Sequence, residues 1–401
     1  MITKRNPNYR WYILALTMLT YAIIAGAARL CMPVLFKEIG DELGLSVVAI
    51  GTVWGMDPLA GVFIGLPAGL LADRFGVKRT ITIVCILAGV FGALRGFSVN
   101  FLTMAMTMFF FGLMAAATPS IVPKVTAEWF SGKRLGLANA LLNVAWSLGA
   151  VAATMFSATV LSPWLGGWKN VMFFYGAPAV LLGFLWLFTG REPERIETSE
   201  STTSKIPFRQ ALSHIIRVKE VWLIGLVTLF TWGASMGFIG YLPLYLRNIG
   251  WTTTTADSAI TVFNAVTLVG SVPMVLLSDK LKSRKGVLLL SLTSLAVGLV
   301  LLPFASTLQV WLILITCGFL RSGAGSLFNV MIFETKGIGG TYGGTAIGLA
   351  STISMVGAFI APPLGNSLAS TGEGLPFIFW GCLAALGIPL LLLIRSKPNL
   401  T

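Results

Sequence analysis

The residues whose chemistry stands out are Arg29, Asp57 and Arg321, each near the middle of an apolar run long enough to cross a bilayer. An ionised group at that depth costs several kcal/mol unless it meets a partner or water, so each marks a structural or functional site. Arginine holds carboxylate or phosphate in a bidentate fork, and aspartate can carry a proton or compete for the arginine. Arg29 precedes the turn at Gly40–Leu45 by about fourteen residues, and Asp57 follows it by about as many. At 1.5 Å per residue both lie roughly 20 Å from that turn, at equal depth on antiparallel helices. Arg321 is likewise central between Gln309 and Glu334. Two readings follow. In one, Arg29 and Arg321 clamp a small organic anion and Asp57 is a proton or competing-anion switch. In the other, Arg29 and Asp57 form a structural ion pair, and Arg321 contacts helix-end carbonyls or a neighbouring polar side chain.

Helices in lipid must position these groups. The chain has 401 residues, 56% of them hydrophobic and 11% charged, with a mean hydropathy of +0.85; soluble domains carry about 25% charged residues. An ordinary soluble enzyme is excluded. Twelve apolar runs can be drawn, at about Trp11–Phe36, Val47–Ala72, Thr80–Phe97, Phe101–Ala127, Gly136–Leu161, Val171–Phe188, Val221–Leu246, Ala256–Ser278, Val287–Phe304, Val310–Phe333, Gly343–Leu364 and Pro376–Ile394. The fold expected is an all-α membrane protein. The longest stretch without a run, 191–220, is rich in Ser, Thr and charge and divides the helices six and six. The expected division is an N-terminal bundle over 1–190, a cytoplasmic linker over 191–220 and a C-terminal bundle over 221–401. Lys4, Arg5 and Arg10 before the first run imitate a signal peptide, but the run is too long for one and reads as an uncleaved helix.

A formal charge of +13 would suggest nucleic acid or anionic lipid as partner. Its distribution says otherwise. All bases except Lys37, Arg95, Lys169, Arg247 and the two intramembrane arginines fall on one side of the twelve-span map. By the positive-inside rule that side is the cytoplasm, both termini are cytoplasmic, and the expected location is the cell (inner) membrane. Nucleic acid is not expected. Cys31, Cys85, Cys317 and Cys382 are isolated, and His214 has no companion ligand, so neither a metal site nor a cofactor is expected. No GxxxxGK[ST] loop for nucleotide-driven pumping occurs.

The halves repeat. Pro33–Gly40 parallels Pro243–Gly250 at an offset of 210, and Pro67…Asp73-Arg74 parallels Pro273…Asp279-Lys280 at 206. Gly112 and Glu128 parallel Gly318 and Glu334 at 206; Gly136, Ala138, Gly149 and Ala150 parallel Gly344, Ala346, Gly357 and Ala358 at 208. Ordered matches at nearly constant offset argue for duplication of a six-helix unit. The repeat equivalent of Arg29 is Ile239, so span seven carries no matching base.

The segment GLLADRFGVKR, Gly69 to Arg79, resembles the loop 2–3 signature of the major facilitator superfamily of secondary transporters. A degenerate copy, VLLSDKLKSRK, occupies Val275 to Lys285, with Val275 and Lys282 where the signature has glycine. The resemblance implies two pseudo-symmetric six-helix bundles around a central cavity, lined by spans one and ten among others, with alternating access. It makes the loop a gating latch. Asp73 would accept from a helix N-terminus, Gly76 would permit the turn, and Arg74, Lys78 and Arg79 would pair with Glu128 or with lipid phosphate. Gly69, Arg134, Asp279 and Glu334 complete the expected gating set.

Further candidate solute contacts are Trp232 and Tyr241 in span seven, Asn143 in span five, Asn264 in span eight and Asn329 in span ten. Helix–helix hydrogen bonding is the alternative for each asparagine. The expected activity is secondary active transport of a small, anionic organic solute, with protons as a candidate coupling ion, by a monomer among membrane lipids. The alternative is proton-coupled efflux of drug-like or amphipathic compounds.

Overall fold

The computed structural model describes residues 9–191 and 208–394, apart from the side chains of Leu66, Gly69, Leu70, Asp73, Lys133, Phe208, Arg209, Gly340 and Thr341. Most of the linker predicted over 191–220 lies outside the described residues. Among the described residues, twelve helices are long and apolar enough to cross a membrane. They are α1 (Tyr9–Leu43), α2 (Val47–Phe75), α3 (Val77–Phe97), α4 (Phe101–Trp129), α5 (Arg134–Leu165), α6 (Trp168–Thr189), α7 (Lys219–Asn248), α8 (Thr253–Lys280), α9 (Arg284–Phe304), α10 (Thr307–Glu334), α11 (Tyr342–Ser370) and α12 (Leu375–Leu393). The chain is an all-α, multi-pass membrane protein.

Several helices outrun their apolar cores. The first continues from Phe36 to Leu43 through Lys37, Glu38, Asp41 and Glu42, where Lys37 pairs with Asp41 one turn on. Their starts are capped by short polar side chains. Ser46 accepts from the Ala49 amide, and Asn100 with Thr103 and Ser306 with Gln309 close capping boxes at α4 and α10.

Two compact units are present, one of residues 1–194 with 246–261, the other of residues 195–245 with 262–401. The first buries Trp54, Trp168 and Trp186 completely, and the Trp186 indole donates to Thr20 at 2.9 Å. The second is centred on Ile224, Val227, Leu288, Leu292, Phe328 and Leu391. Against it docks a short helix, Phe208–Ile215, with Ile215 fully buried; its His214 stacks on Tyr342 at 4.5 Å and meets the Gly337 carbonyl at 2.9 Å.

Equivalent glycines make equivalent crossings. A Cβ on Gly149 would stand 2.1 Å from the Ala22 carbonyl oxygen, and one on Gly357 would stand 2.2 Å from that of Leu229. Helices α1 and α5, and α7 and α11, therefore touch backbone to backbone at equivalent glycines. The turn after α2 is also repeated. Gly76 has φ of 89°, and Lys282, at the glycine position of the degenerate copy, keeps a positive φ of 48°.

Two helices are irregular. Residues Tyr21–Ala27 of α1 form a π-helical segment, and α10 breaks at Ser322–Gly323 between Thr307–Arg321 and Ala324–Glu334. Each irregularity adjoins an intramembrane arginine, Arg29 in one case and Arg321 in the other.

Candidate functional site

In the first unit, Arg29 follows the π segment by two residues and precedes Pro33 by one turn. Proline has no N–H to give the Arg29 carbonyl, so the backbone here is doubly irregular. Its Nε donates to Oδ2 of Asp57, an ion pair whose carboxylate is fully buried while the Arg29 side chain stays 20% exposed. Oδ1 of Asp57 has no partner among the described residues. Gly112 lets the helices approach at this point, since a Cβ there would lie 2.7 Å from the Asp57 Cα. In the second unit Gly318 crosses α8 in the same way, with its Cβ position 3.0 Å from the Phe263 carbonyl oxygen. Phe263 is 206 residues from Asp57. The repeat keeps the crossing and replaces the acid by an aromatic ring.

Two buried arginines of this unit escape a reading by sequence, which assigns both to outer loops. Arg95 is fully buried at the point where α3 tightens into a 3₁₀ turn, Arg95–Phe97. Its Nε donates to the Gly92 carbonyl at 3.1 Å, and its guanidinium lies 4.1 Å from the Phe111 ring. Arg247 pairs with Asp257 at 2.5 Å, their side chains 6% and 0% exposed. Asp257 begins an apolar run, and acidic residues at run starts look like loop residues until a buried base is placed beside them.

In the second unit, Arg321 closes the first segment of α10. Its Nε donates to Ser235 Oγ at 3.2 Å, and its guanidinium lies 5.9 Å from the Trp232 ring and 5.7 Å from the Phe263 ring. Among the described residues it has no acidic partner. Trp232 also lines a cavity of about 150 Å³ with Asn329, so three candidate solute contacts, Arg321, Trp232 and Asn329, are brought together. The other four are elsewhere, Arg29 at its pair with Asp57 in the first unit. Asn143 is exposed on α5, and the Asn264 amide nitrogen is buried with no partner among the described residues. Tyr241 departs from expectation most. It is packed among Tyr245, Phe377 and Trp380, and its hydroxyl donates to the Glu373 carbonyl at 3.1 Å, away from the cavity.

Of the expected gating residues, the side chains of Gly69 and Asp73 lie outside the described residues. Arg74, Arg79, Glu128, Arg134 and Asp279 are exposed, and Arg74 lies over the Phe75 ring at 5.4 Å. Lys78, at the start of α3, is half-buried. Glu334 pairs with Arg284 at 2.7 Å, joining the end of α10 to the start of α9. The residues equivalent to that pair in the first half are Glu128 and Lys78.

Comparison with known proteins agrees with this architecture. The chain is 24% identical to the probable galactarate/D-glucarate transporter of Escherichia coli (strain K12), over 98% of this chain and 93% of the relative. It is 24% identical to the cis,cis-muconate transport protein of Acinetobacter baylyi, over 94% and 92%. The fold matches a bacterial homolog of the human lysosomal transporter Spinster in its inward-facing, unoccupied conformation, with a TM-score of 0.80, 17% identity and coverage of 98% and 99%. The profile of the Major Facilitator Superfamily matches residues 17–332 and 246–401. Matched along nearly its whole length, and built from the duplicated, glycine-crossed helices described above, the chain belongs to the Major Facilitator Superfamily.

Proposed function

We propose that this chain is a secondary transporter of a small organic carboxylate, anchored by Arg321, with the Arg29–Asp57 pair as the element that couples transport to protons. The observation that carries the reading is the state of Arg321. It is a part-buried guanidinium held from below by Ser235 Oγ through Nε and flanked by two aromatic rings, without an acid beside it among the described residues. Among the described residues only its Nε makes a hydrogen bond, which leaves the terminal nitrogens for a carboxylate fork. The relatives point the same way: galactarate, D-glucarate and cis,cis-muconate are dicarboxylates.

Arg29 supplies a second guanidinium, in the first unit, and its bond to Asp57 makes anion binding and proton binding compete. A solute carboxylate that draws Arg29 away strands a fully buried Asp57. An uncompensated carboxylate in an apolar medium is costly, so Asp57 then takes a proton. Solute anion and proton would thus be loaded together. The charge distribution supports a location in the cell membrane with both termini in the cytoplasm. The pair Arg284–Glu334 is suited to act as a latch between helix ends.

The test is counterflow in proteoliposomes with labelled D-glucarate and cis,cis-muconate under an imposed pH gradient. The reading expects saturable exchange of at least one acid, accelerated by the gradient in wild type and insensitive to it in Asp57→Asn. Exchange confined to cations or neutral amphipathic compounds would overturn it in favour of drug efflux.

A further inference from the structure

The cavity beside Arg321 has a hydrogen-bonding character that selects among acids. It belongs entirely to the second unit, and Trp232, which lies 5.9 Å from the Arg321 guanidinium, is one of its lining residues. Thr228, Ser351, Ser354 and Asn329 contribute its polar groups, and Gly325 opens its wall. The protons of two hydroxyls are already committed. Thr228 donates to the carbonyls of Ile224 and Gly225 at 3.0 and 2.9 Å, and Ser354 donates to the Ser351 carbonyl at 2.7 Å. A hydroxyl whose single proton is used within its own helix can only accept. These two groups therefore offer lone pairs to a solute and nothing to a second carboxylate, which is itself acceptor-only. The Ser351 hydroxyl and the Asn329 amide are exposed and make no hydrogen bond among the described residues; they bring three donor protons to the cavity, beside the Thr228 and Ser354 oxygens that only accept.

The cavity measures about 150 Å³, a volume that accepts roughly six heavy atoms of a guest. It has room for a short stretch of carbon chain with its substituents.

We infer that this cavity is a hydroxyl-reading subsite and that the solute is a hydroxylated carboxylic acid whose alcohol groups donate to Thr228 and Ser354 while its carboxylate rests on Arg321. Such a subsite rests on the organic-anion function proposed for the chain and narrows it. The chemistry would reject an acid of equal length and charge that lacks alcohol groups, because the lone pairs of the subsite would then be buried without donors.

The experiment is titration calorimetry of the purified, full-length protein with two matched pairs of acids, D-glucarate against hexanedioate and D-gluconate against hexanoate. Wild type is expected to bind the hydroxylated member of at least one pair more tightly, by about two- to tenfold for each hydroxyl contact. Thr228→Val and Ser354→Ala should each bring that ratio toward one. Gly325→Leu should do the same by filling the space; a Cβ at 325 meets nothing within 4 Å, so the fold has room for the substitution, checked by monodisperse elution. Equal binding of both members of each pair, or a preference that none of the three variants alters, would overturn the subsite while leaving the anion reading in place. Binding of none of the four acids, with binding of cationic or neutral compounds, would overturn both.

Discussion

Phe263 stands in the second repeat where Asp57 stands in the first, each on a helix held close to its neighbour by a glycine, Gly318 and Gly112 respectively. One ring contributes to the flank of Arg321; the other position supplies the counter-ion of Arg29. Duplication preserved the geometry of the crossing and let the chemistry diverge. Each half consequently presents its arginine differently, one neutralised by an acid and one cushioned by aromatics.

That difference separates stability from transport at Arg29. Arg29→Gln leaves a buried carboxylate alone and should lower stability by about 3–5 kcal/mol. Adding Asp57→Asn removes the stranded charge and should restore most of the melting temperature. If Arg29 also binds the solute, the double variant is folded and inactive in uptake. A double variant with wild-type uptake would reduce the pair to a structural role.

Arg321 is held by an oriented bond and lies near two aromatic rings, so charge alone should not replace it. Arg321→Lys is expected to weaken apparent solute affinity at least tenfold, about 1.4 kcal/mol, since lysine loses the fork and the Nε bond to Ser235. Arg321→Gln should abolish uptake with normal membrane expression. Concentration dependence of uptake reads both; retained wild-type affinity in Arg321→Lys would contradict the fork.

Gly112→Ala puts a methyl group 2.7 Å from the Asp57 Cα and 3.0 Å from its carbonyl oxygen. Overpacking of this kind costs about 1–3 kcal/mol. Gly318→Ala meets its nearest atom at 3.0 Å and should cost less. Thermal unfolding in detergent should rank the two in that order, and the Gly112 variant should also lose uptake because the crossing positions Asp57.

Lys282 carries the left-handed backbone of a turn whose first copy uses glycine. Lys282→Gly should therefore stabilise the protein by up to about 1 kcal/mol, seen as a rise in melting temperature. Gly76→Ala should do the reverse, and more strongly, because φ of 89° with ψ of 152° is a region open to glycine almost alone. A fall in melting temperature for Lys282→Gly would show that the lysine side chain, rather than the turn, matters there.

The spans are legible in the sequence because an apolar run of bilayer length has little use outside a membrane. Their ends are less so: α1 runs on to Leu43 through charged residues that hydropathy assigns to a loop. The Arg29–Asp57 contact follows from counting depth on both sides of one turn, which needs no knowledge of helix rotation. Depth alone could not place Tyr241. It is nine residues from Trp232, two and a half turns, and so faces the opposite side of α7, whereas Ser235, three residues from Trp232, shares its face and receives Arg321. Arg95 is hidden for a different reason. A base near the end of an apolar run looks like a topology signal, and the sequence does not show that Arg95, at the start of a 3₁₀ turn, is fully buried.

The break at Ser322–Gly323 divides one transmembrane element into two independently adjustable parts. Arg321 ends the first, and Gly325 and Asn329 belong to the second. Substitutions in the second half-helix can reshape the cavity without disturbing the register of the arginine. For the organic-anion transporter proposed above, this layout lets drift in a few positions change which acid is taken while the preference for negative charge stays intact.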